Sequence, residues 1–401
     1  MTPSADRAVR KLSFAIRAAA AAILVWCAAV EVFGIFMRSL FGFGLDGDWF
    51  LVLAASGPGE VSAFIGMYWP QIALAVAAFA VLAAALVYLA FRIPSRRAPV
   101  ALAAFAVYVA ASACLAGSLK AWKPLYMVYD TVRFAGRYRA LARAGLWTPE
   151  RQAAVRPAPP GASNLVFVVG ESLAASRVRF YGYEKDTMPR MAALGCAAMP
   201  PLRADHPFTA RALADMMCDG AATLPVKYRL AGYRTVLASA QDRWERYAGV
   251  AQTVFAACEE KIYTSGEGPG ADAALVPAVR RVFAGRKAGG RPVALFVHMI
   301  GSHFPPSARL PAGFAAGSGF DDYDRTVLQT DSVLADIVSA MPPDTLFVFV
   351  SDHGESPGSG RWRDASSEEL WQVPFLVLPR ERMRDFVGVT RPSQIRTRLA
   401  P

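Results

Sequence analysis

The chain has 401 residues, with 43 Lys and Arg against 32 Asp and Glu, a net charge of +11, 54% apolar residues and five cysteines. That hydrophobicity excludes a disordered chain, and so few cysteines exclude a small disulfide scaffold. The positive charge would point to nucleic acid only if the basic residues gathered on one folded face.

They follow membrane topology instead. Residues 18–37 are apolar apart from Glu31, and 72–91 and 100–119 carry no charge. Each matches the roughly 20 helical residues that cross a bilayer core. The first is longer than the roughly 7 to 15 apolar residues of a cleaved signal peptide, so the sequence predicts a retained anchor. Arg7, Arg10, Lys11 and Arg17 precede the first span, and Arg92, Arg96 and Arg97 separate the second from the third. Between the first two spans Arg38 stands against Asp46, Asp48 and Glu60. Basic loops stay cytoplasmic, which puts the N-terminus inside and everything after the third span outside. Residues 49–67, broken by Gly57, Pro58 and Gly59, read as an interfacial or re-entrant piece. A fourth crossing there would invert the arrangement, and the charge asymmetry favours three. Glu31 faces either a headgroup or partner helix, or the outer interface of a tilted helix.

Met127, Thr131, Phe134, Tyr138 and Leu141 recur at steps of four and three, with Arg133, Arg137, Arg139 and Arg143 on other faces. That spacing suits an amphipathic helix lying in a membrane surface and ending near Gly145, although a packed helix shows the same pattern. Residues 154–163, with Pro157, Pro159 and Pro160, read as a linker. The predicted organisation is a membrane domain of about three spans at 1–120, an interfacial helix and linker at 121–163, and an extracytoplasmic domain at 164–401.

In that domain, β-rich apolar runs at 164–169, 235–238, 293–297 and 346–350 alternate with helical stretches at 209–217, 273–283 and 323–339. The alternation predicts an α/β fold, a mostly parallel sheet with helices on both faces. Ligands in such folds bind beyond the carboxyl ends of the strands. There the sequence places Glu171 and Ser172, then His298 to His303, then Asp352, His353 and Glu355. Three of the four histidines are in these turns, and the fourth, His206, lies just before Thr209. Singly, such residues are helix caps; together, carboxylates and imidazole from distant segments suit Zn²⁺.

The segments Val168-Val169-Gly170-Glu171-Ser172, Tyr181-Gly182-Tyr183 with Thr187-Met188-Pro189, Ala231-Gly232-Tyr233, Gly301-Ser302-His303, Tyr323-Asp324 with Thr330-Asp331, and Ser351-Asp352-His353-Gly354-Glu355-Ser356 occur in one order. In that order the chain resembles the membrane-anchored phosphoethanolamine transferases of the alkaline phosphatase and sulfatase superfamily, over residues 160–380. The resemblance implies an alkaline-phosphatase-like domain behind transmembrane helices, in a bacterial inner membrane with the catalytic domain in the periplasm. It implies that Glu171, Asp352 and His353 ligate zinc and that Thr209 is both nucleophile and ligand. A threonine hydroxyl needs such activation near neutral pH. The implied donor is phosphatidylethanolamine and the acceptor a lipid A, lipopolysaccharide core or similar envelope glycan, with no nucleic acid partner. His303 would stabilise developing charge or protonate the leaving oxygen, with His298 and His206 among the substrate contacts. Thr209 also reads as a helix N-cap.

The family usually carries another histidine about a dozen residues after the Asp-His-Gly turn, where this chain has Arg361-Trp362-Arg363-Asp364-Ala365. Arg361 or Arg363 would serve there as a phosphate contact. The family also usually continues further beyond the strand at 373–378. Other readings with the same residues are a phosphodiesterase or sulfatase-like hydrolase and an inactive scaffold; the Cys/Ser-x-Pro-x-Arg context of a sulfatase nucleophile is missing. Cys196, Cys218 and Cys258 permit at most one bridge, with Cys196–Cys218 favoured, while Cys27 and Cys114 fall in spans.

Overall fold

A computed structural model describes residues 3–42, 58–92, 123–159, 161–241, 248–264, 268–285, 290–359 and 363–399. The chain divides into two compact units, Met1–Gly136 and Arg137–Pro401.

In the first unit, helix α1 (Pro3–Phe41) and helix α2 (Pro58–Arg92) contain stretches long and apolar enough to cross a membrane, Phe14–Phe41 and Val61–Arg92. They run antiparallel: Phe14 meets Phe91 with ring centroids 5.6 Å apart, and Phe33 meets Phe79 at 5.8 Å. The Arg17 guanidinium donates to the Phe91 carbonyl at 2.8 Å. The second helix begins earlier than the apolar run suggests, because Gly57-Pro58-Gly59 marks its start, and a proline suits a first helical turn. Residues 58–67 are thus helical, and the chain kinks at Tyr68 (φ −120°, ψ 15°), close to Pro70, whose ring cannot continue the hydrogen-bond ladder. Glu31 is exposed on α1. The third predicted span, 100–119, with Cys114, lies outside the described residues.

Helix α3 (Lys123–Gly145) ends inside the second unit. Leu141 and Ala144 are buried, and the Tyr138 hydroxyl lies 3.3 Å from that of Thr253. Its C-terminal part is therefore a packed helix rather than a surface one; the side chains of Met127, Thr131 and Phe134 lie outside those described. The predicted linker starts after a short helix, Pro149–Ala153, and runs along the domain, where Arg156 donates its backbone N–H to Leu230.

The domain core is a seven-stranded sheet in the order β2-β9-β7-β1-β6-β4-β5. Strands β1 (Asn164–Gly170), β4 (Arg234–Ser239), β5 (Glu260–Tyr263), β6 (Val293–His298) and β7 (Thr345–Ser351) are parallel. At the edge, β9 (Phe375–Leu378) and β2 (Ala197–Ala198) turn antiparallel. The run predicted as one strand at 373–378 is broken at Pro374, which cannot donate to a ladder. Its first part, β8 (Gln372–Val373), pairs instead with β3 (Leu202–Arg203).

Side chains alternate across the sheet, so one strand feeds two cores. Leu165, Phe167 and Val169 join the layer of α4 (Thr209–Met217), α5 (Leu224–Leu230) and the C-terminal α8 (Pro392–Arg398). Val166 and Val168 join the layer of α6 (Leu275–Ala284) and α7 (Asp322–Ala340). Both faces being covered explains why the strands read as continuous apolar runs. The same two layers separate the cysteines. Cys196 is buried in one and Cys218 packs against the other, so the favoured bridge does not form, and both are thiols, as is Cys258.

Candidate active site at the carboxyl edge of the sheet

Parallel register assembles the site. Gly170 at the end of β1 is level with Ser351 at the end of β7, so the next residues, Glu171 and Asp352, leave the sheet side by side. Backbone hydrogen bonds continue the pairing past the strands: Asp352 N–H donates to Gly170, and Ser302 N–H to Glu171. Gly301, at φ +51°, comes so close that a Cβ there would lie 2.6 Å from the Glu171 carbonyl oxygen. Asp272 fixes the same turn by accepting from Ile300 and Gly301 N–H at 2.8 and 2.9 Å, and burial pushes its carboxyl up to about 6.

Glu171, Asp352 and His353 are fully buried, and one ligand atom from each lies within 4.8 Å of the others. Asp352 accepts from Ser172 and His353 N–H through Oδ1, at 3.2 and 2.7 Å, while its Oδ2 has no hydrogen-bond partner. His353 Nδ1 lies 2.8 Å from the Gly354 carbonyl, which can only accept, so that nitrogen carries the proton. The other ring nitrogen, Nε2, faces Glu171 Oε1 at 3.3 Å and Asp352 Oδ2 at 3.5 Å. An orphaned carboxylate oxygen, a second carboxylate and an imidazole with its other nitrogen tied to a carbonyl fit a divalent metal such as zinc.

Thr209 is the first residue of α4 and not its cap, which is Phe208; its hydroxyl reaches away from the helix backbone. It donates to Glu171, 3.0 Å from each carboxylate oxygen, and lies 3.3 Å from His353 Nε2. Burial raises the Glu171 carboxyl, but the hydrogen bond and charge of His353, with the charges of His303 and His298, outweigh it and hold that carboxyl well below the usual range. Burial and the Glu171 charge push Asp352 the other way, upward.

The remaining predicted residues fall at different depths. His303 donates from Nδ1 to the Phe304 carbonyl at 3.1 Å and is half-buried. His298 is 1% exposed, its ring 6.0 Å from that of Phe255 and its Nε2 without a hydrogen-bond partner, so it lies beneath the site. His206 pairs through Nε2 with Asp215 at 2.9 Å, a partner on the exposed side of α4. Arg363 Nε lies 3.5 Å from Glu355 Oε1, and its guanidinium sits 5.2 Å from the ring centroid of Phe208, the residue before Thr209. Arg361 lies outside the described residues.

Gln241 escaped the sequence reading. Its amide donates to the Met299 carbonyl at 3.0 Å and to Glu171 Oε2 at 3.4 Å. It stands just past the end of β4, at the same carboxyl edge, and that position was the signal that could have found it.

Residues 163–385 match the Sulfatase family, more than half of the chain. The phosphoethanolamine transferase EptC of Escherichia coli O18:K1:H7 (strain RS218 / NMEC) is 24% identical over 265 residues, covering 55% of this chain and 45% of that protein. EptC of Escherichia coli strain K12 is 24% identical over 262 residues with the same coverage, so the chain spans about half the length of these curated relatives. The C-terminal periplasmic domain of Escherichia coli EptC, solved in complex with Zn, superposes at a TM-score of 0.52 with 19% identity over 60% of this chain and 84% of that one. The integral membrane lipooligosaccharide phosphoethanolamine transferase A of Neisseria meningitidis superposes at 0.53 with 19% identity, covering 90% of this chain and 76% of that one. The fold is thus shared with those structures, and by its match over residues 163–385 the chain belongs to the Sulfatase family.

Proposed function

We propose that this chain transfers phosphoethanolamine from phosphatidylethanolamine to an envelope glycolipid or glycan, such as lipid A or the lipopolysaccharide core, through a covalent adduct on Thr209. The observation that carries this reading is the Thr209 hydroxyl held between the Glu171 carboxylate and His353 Nε2. The names of the Escherichia coli and Neisseria meningitidis relatives support it. So do the two membrane-length helices, which fit an inner-membrane anchor with the catalytic domain in the periplasm.

In this reading the Thr209 oxygen bonds to the donor's phosphorus as the bond from phosphorus to the diacylglycerol oxygen breaks. The hydroxyl proton leaves toward Glu171, to which it already points, and the diacylglycerol oxygen takes a proton from His303. An acceptor hydroxyl then gives its proton to His303 as its oxygen bonds to the same phosphorus, the bond from phosphorus to the Thr209 oxygen breaks, and Thr209 recovers its proton from Glu171. Zinc held by Glu171, Asp352 and His353 would supply Lewis acidity, lowering the pKa of the neighbouring hydroxyl and neutralising phosphate charge. Arg363, its guanidinium 5.2 Å from the ring centroid of Phe208, would hold a phosphate oxygen.

The purified full chain with fluorescent phosphatidylethanolamine and Zn²⁺ tests this. Diacylglycerol together with a phosphoethanolamine mass adduct on the Thr209 peptide is expected. Headgroup released to water with no acceptor labelled would mark a hydrolase, and no product an inactive scaffold.

A further inference from the structure

Ser172, which follows Glu171, is one of two non-glycine residues at positive φ among those described, at +59°. That conformation is costly for a residue with a Cβ and persists only where the surroundings enforce it. Here it turns three groups of Ser172 in three useful directions. The N–H donates to Asp352 Oδ1 at 3.2 Å, the hydroxyl donates to Glu171 Oε1 at 3.0 Å, and the carbonyl accepts from the Tyr323 hydroxyl at 2.6 Å. One residue therefore orients both carboxylates, and its peptide is pinned from outside.

The pin is double-ended. Tyr323 also accepts from Ala174 N–H at 2.8 Å, so its oxygen spans the turn from Ser172 to Ala174. The phenol is buried in the first turn of α7, with the Arg177 guanidinium 5.9 Å from its ring centroid. Arg177 in turn pairs with Asp324 and Asp321, each at 3.1 Å, which ties the loop and the start of the helix together. Thr326, three residues on and on the same helix face, hydrogen-bonds with the Ser302 hydroxyl at 2.8 Å, and Ser302 N–H donates to the Glu171 carbonyl at 3.0 Å. The N-terminal turn of α7 thus braces both loops that flank Glu171.

We propose that Tyr323 is a positioning residue for the two carboxylates of the metal site, acting through Ser172, with Thr326 a weaker second brace acting through Ser302. The proposal rests on the metal reading above. Groups that orient ligands from outside typically change metal affinity by about 10- to 100-fold when removed.

The test measures zinc affinity by chelator competition, melting temperature of the metal-free full chain, and kcat and KM with the fluorescent donor. Tyr323→Phe is expected to weaken zinc binding by about tenfold or more and lower kcat, with KM within about twofold of the parent. Thr326→Val is expected to weaken zinc binding by about threefold and Thr326→Ser to restore it. If Tyr323→Phe fails to fold, the threonine pair decides alone. Zinc affinity and kcat at parental values in folded Tyr323→Phe, or in Thr326→Val when only that variant folds, overturn the proposal, even if the melting temperature falls. A parent that binds no zinc brings down the metal reading and the brace with it. A parent that binds zinc beside a Tyr323→Phe variant that binds it equally well brings down the brace alone.

Discussion

The hydroxyl of Thr209 stands 3.0 Å from both carboxylate oxygens of Glu171, although the two residues come from different layers of the domain. The helix does not use that hydroxyl as its N-cap, which falls at Phe208. Thr209→Ala should abolish the Thr209-peptide adduct and lower transfer by at least about a thousandfold, while melting within a few degrees of the parent. Thr209→Ser should keep measurable turnover and a mass adduct of the same size.

Arg363 is expected to act on binding rather than on chemistry. Replacing it with alanine removes a guanidinium partly buried beside Phe208 and takes a cation from Glu355. Arg363→Ala should raise KM for the lipid donor by about 10- to 100-fold with a smaller change in kcat. Steady-state kinetics with Arg363→Lys, which keeps the charge but not the planar fork, should fall between.

His298 makes acid a specific threat. Burial lowers its pKa to about 4 from 6.5, against the opposing pull of Glu171. The folded state therefore binds fewer protons than the unfolded one between those values. Stability from this group is present in full above about pH 6.5 and is lost as pH falls through about 4. The loss is on the order of 3 kcal/mol. Melting curves of the detergent-solubilised chain from pH 7 to pH 4 should show a shallower decline for His298→Phe than for the parent; parallel curves would remove this account.

Gly301→Ala should damage site and fold together. The new Cβ would meet the Glu171 carbonyl at 2.6 Å, at a backbone φ of +51° that alanine resists. A loss of about 2–4 kcal/mol in stability is expected, accompanied by weaker zinc binding. A Gly301→Ala variant as stable as the parent would mean that the turn is looser than its geometry indicates.

Much of this was legible in the sequence for a physical reason. Strands covered on both faces must be apolar throughout, so β1, β6 and β7 announce themselves, and the polar residues just beyond them mark the carboxyl edge. Glu171, Asp352 and His353 stood among those residues, the family resemblance singled them out as ligands, and they do converge. What periodicity could not tell was which solvent a helical face meets. The spacing of Tyr138 and Leu141 fitted a membrane surface as well as a protein core, and the core received them. Nor could parity of cysteines reveal that Cys196 and Cys218 sit on opposite sides of the sheet. Gln241 and Tyr323 act through contacts between distant segments, which no local pattern encodes.

The register of β1 on β7 carries a consequence for the newly made chain. Ser172 and Asp352 are 180 residues apart, yet their contact completes the carboxylate pair. Closing so long a loop brings no reward until the parallel pairing is made, so such contacts form slowly and late. A ribosome that has synthesised everything up to β6 has already released Thr209 but neither Asp352 nor His353. On the proposed function, the threonine stays a chemically ordinary hydroxyl until the last parallel strand docks. A truncation before β7 should behave as an inert membrane protein, never as a weakened enzyme.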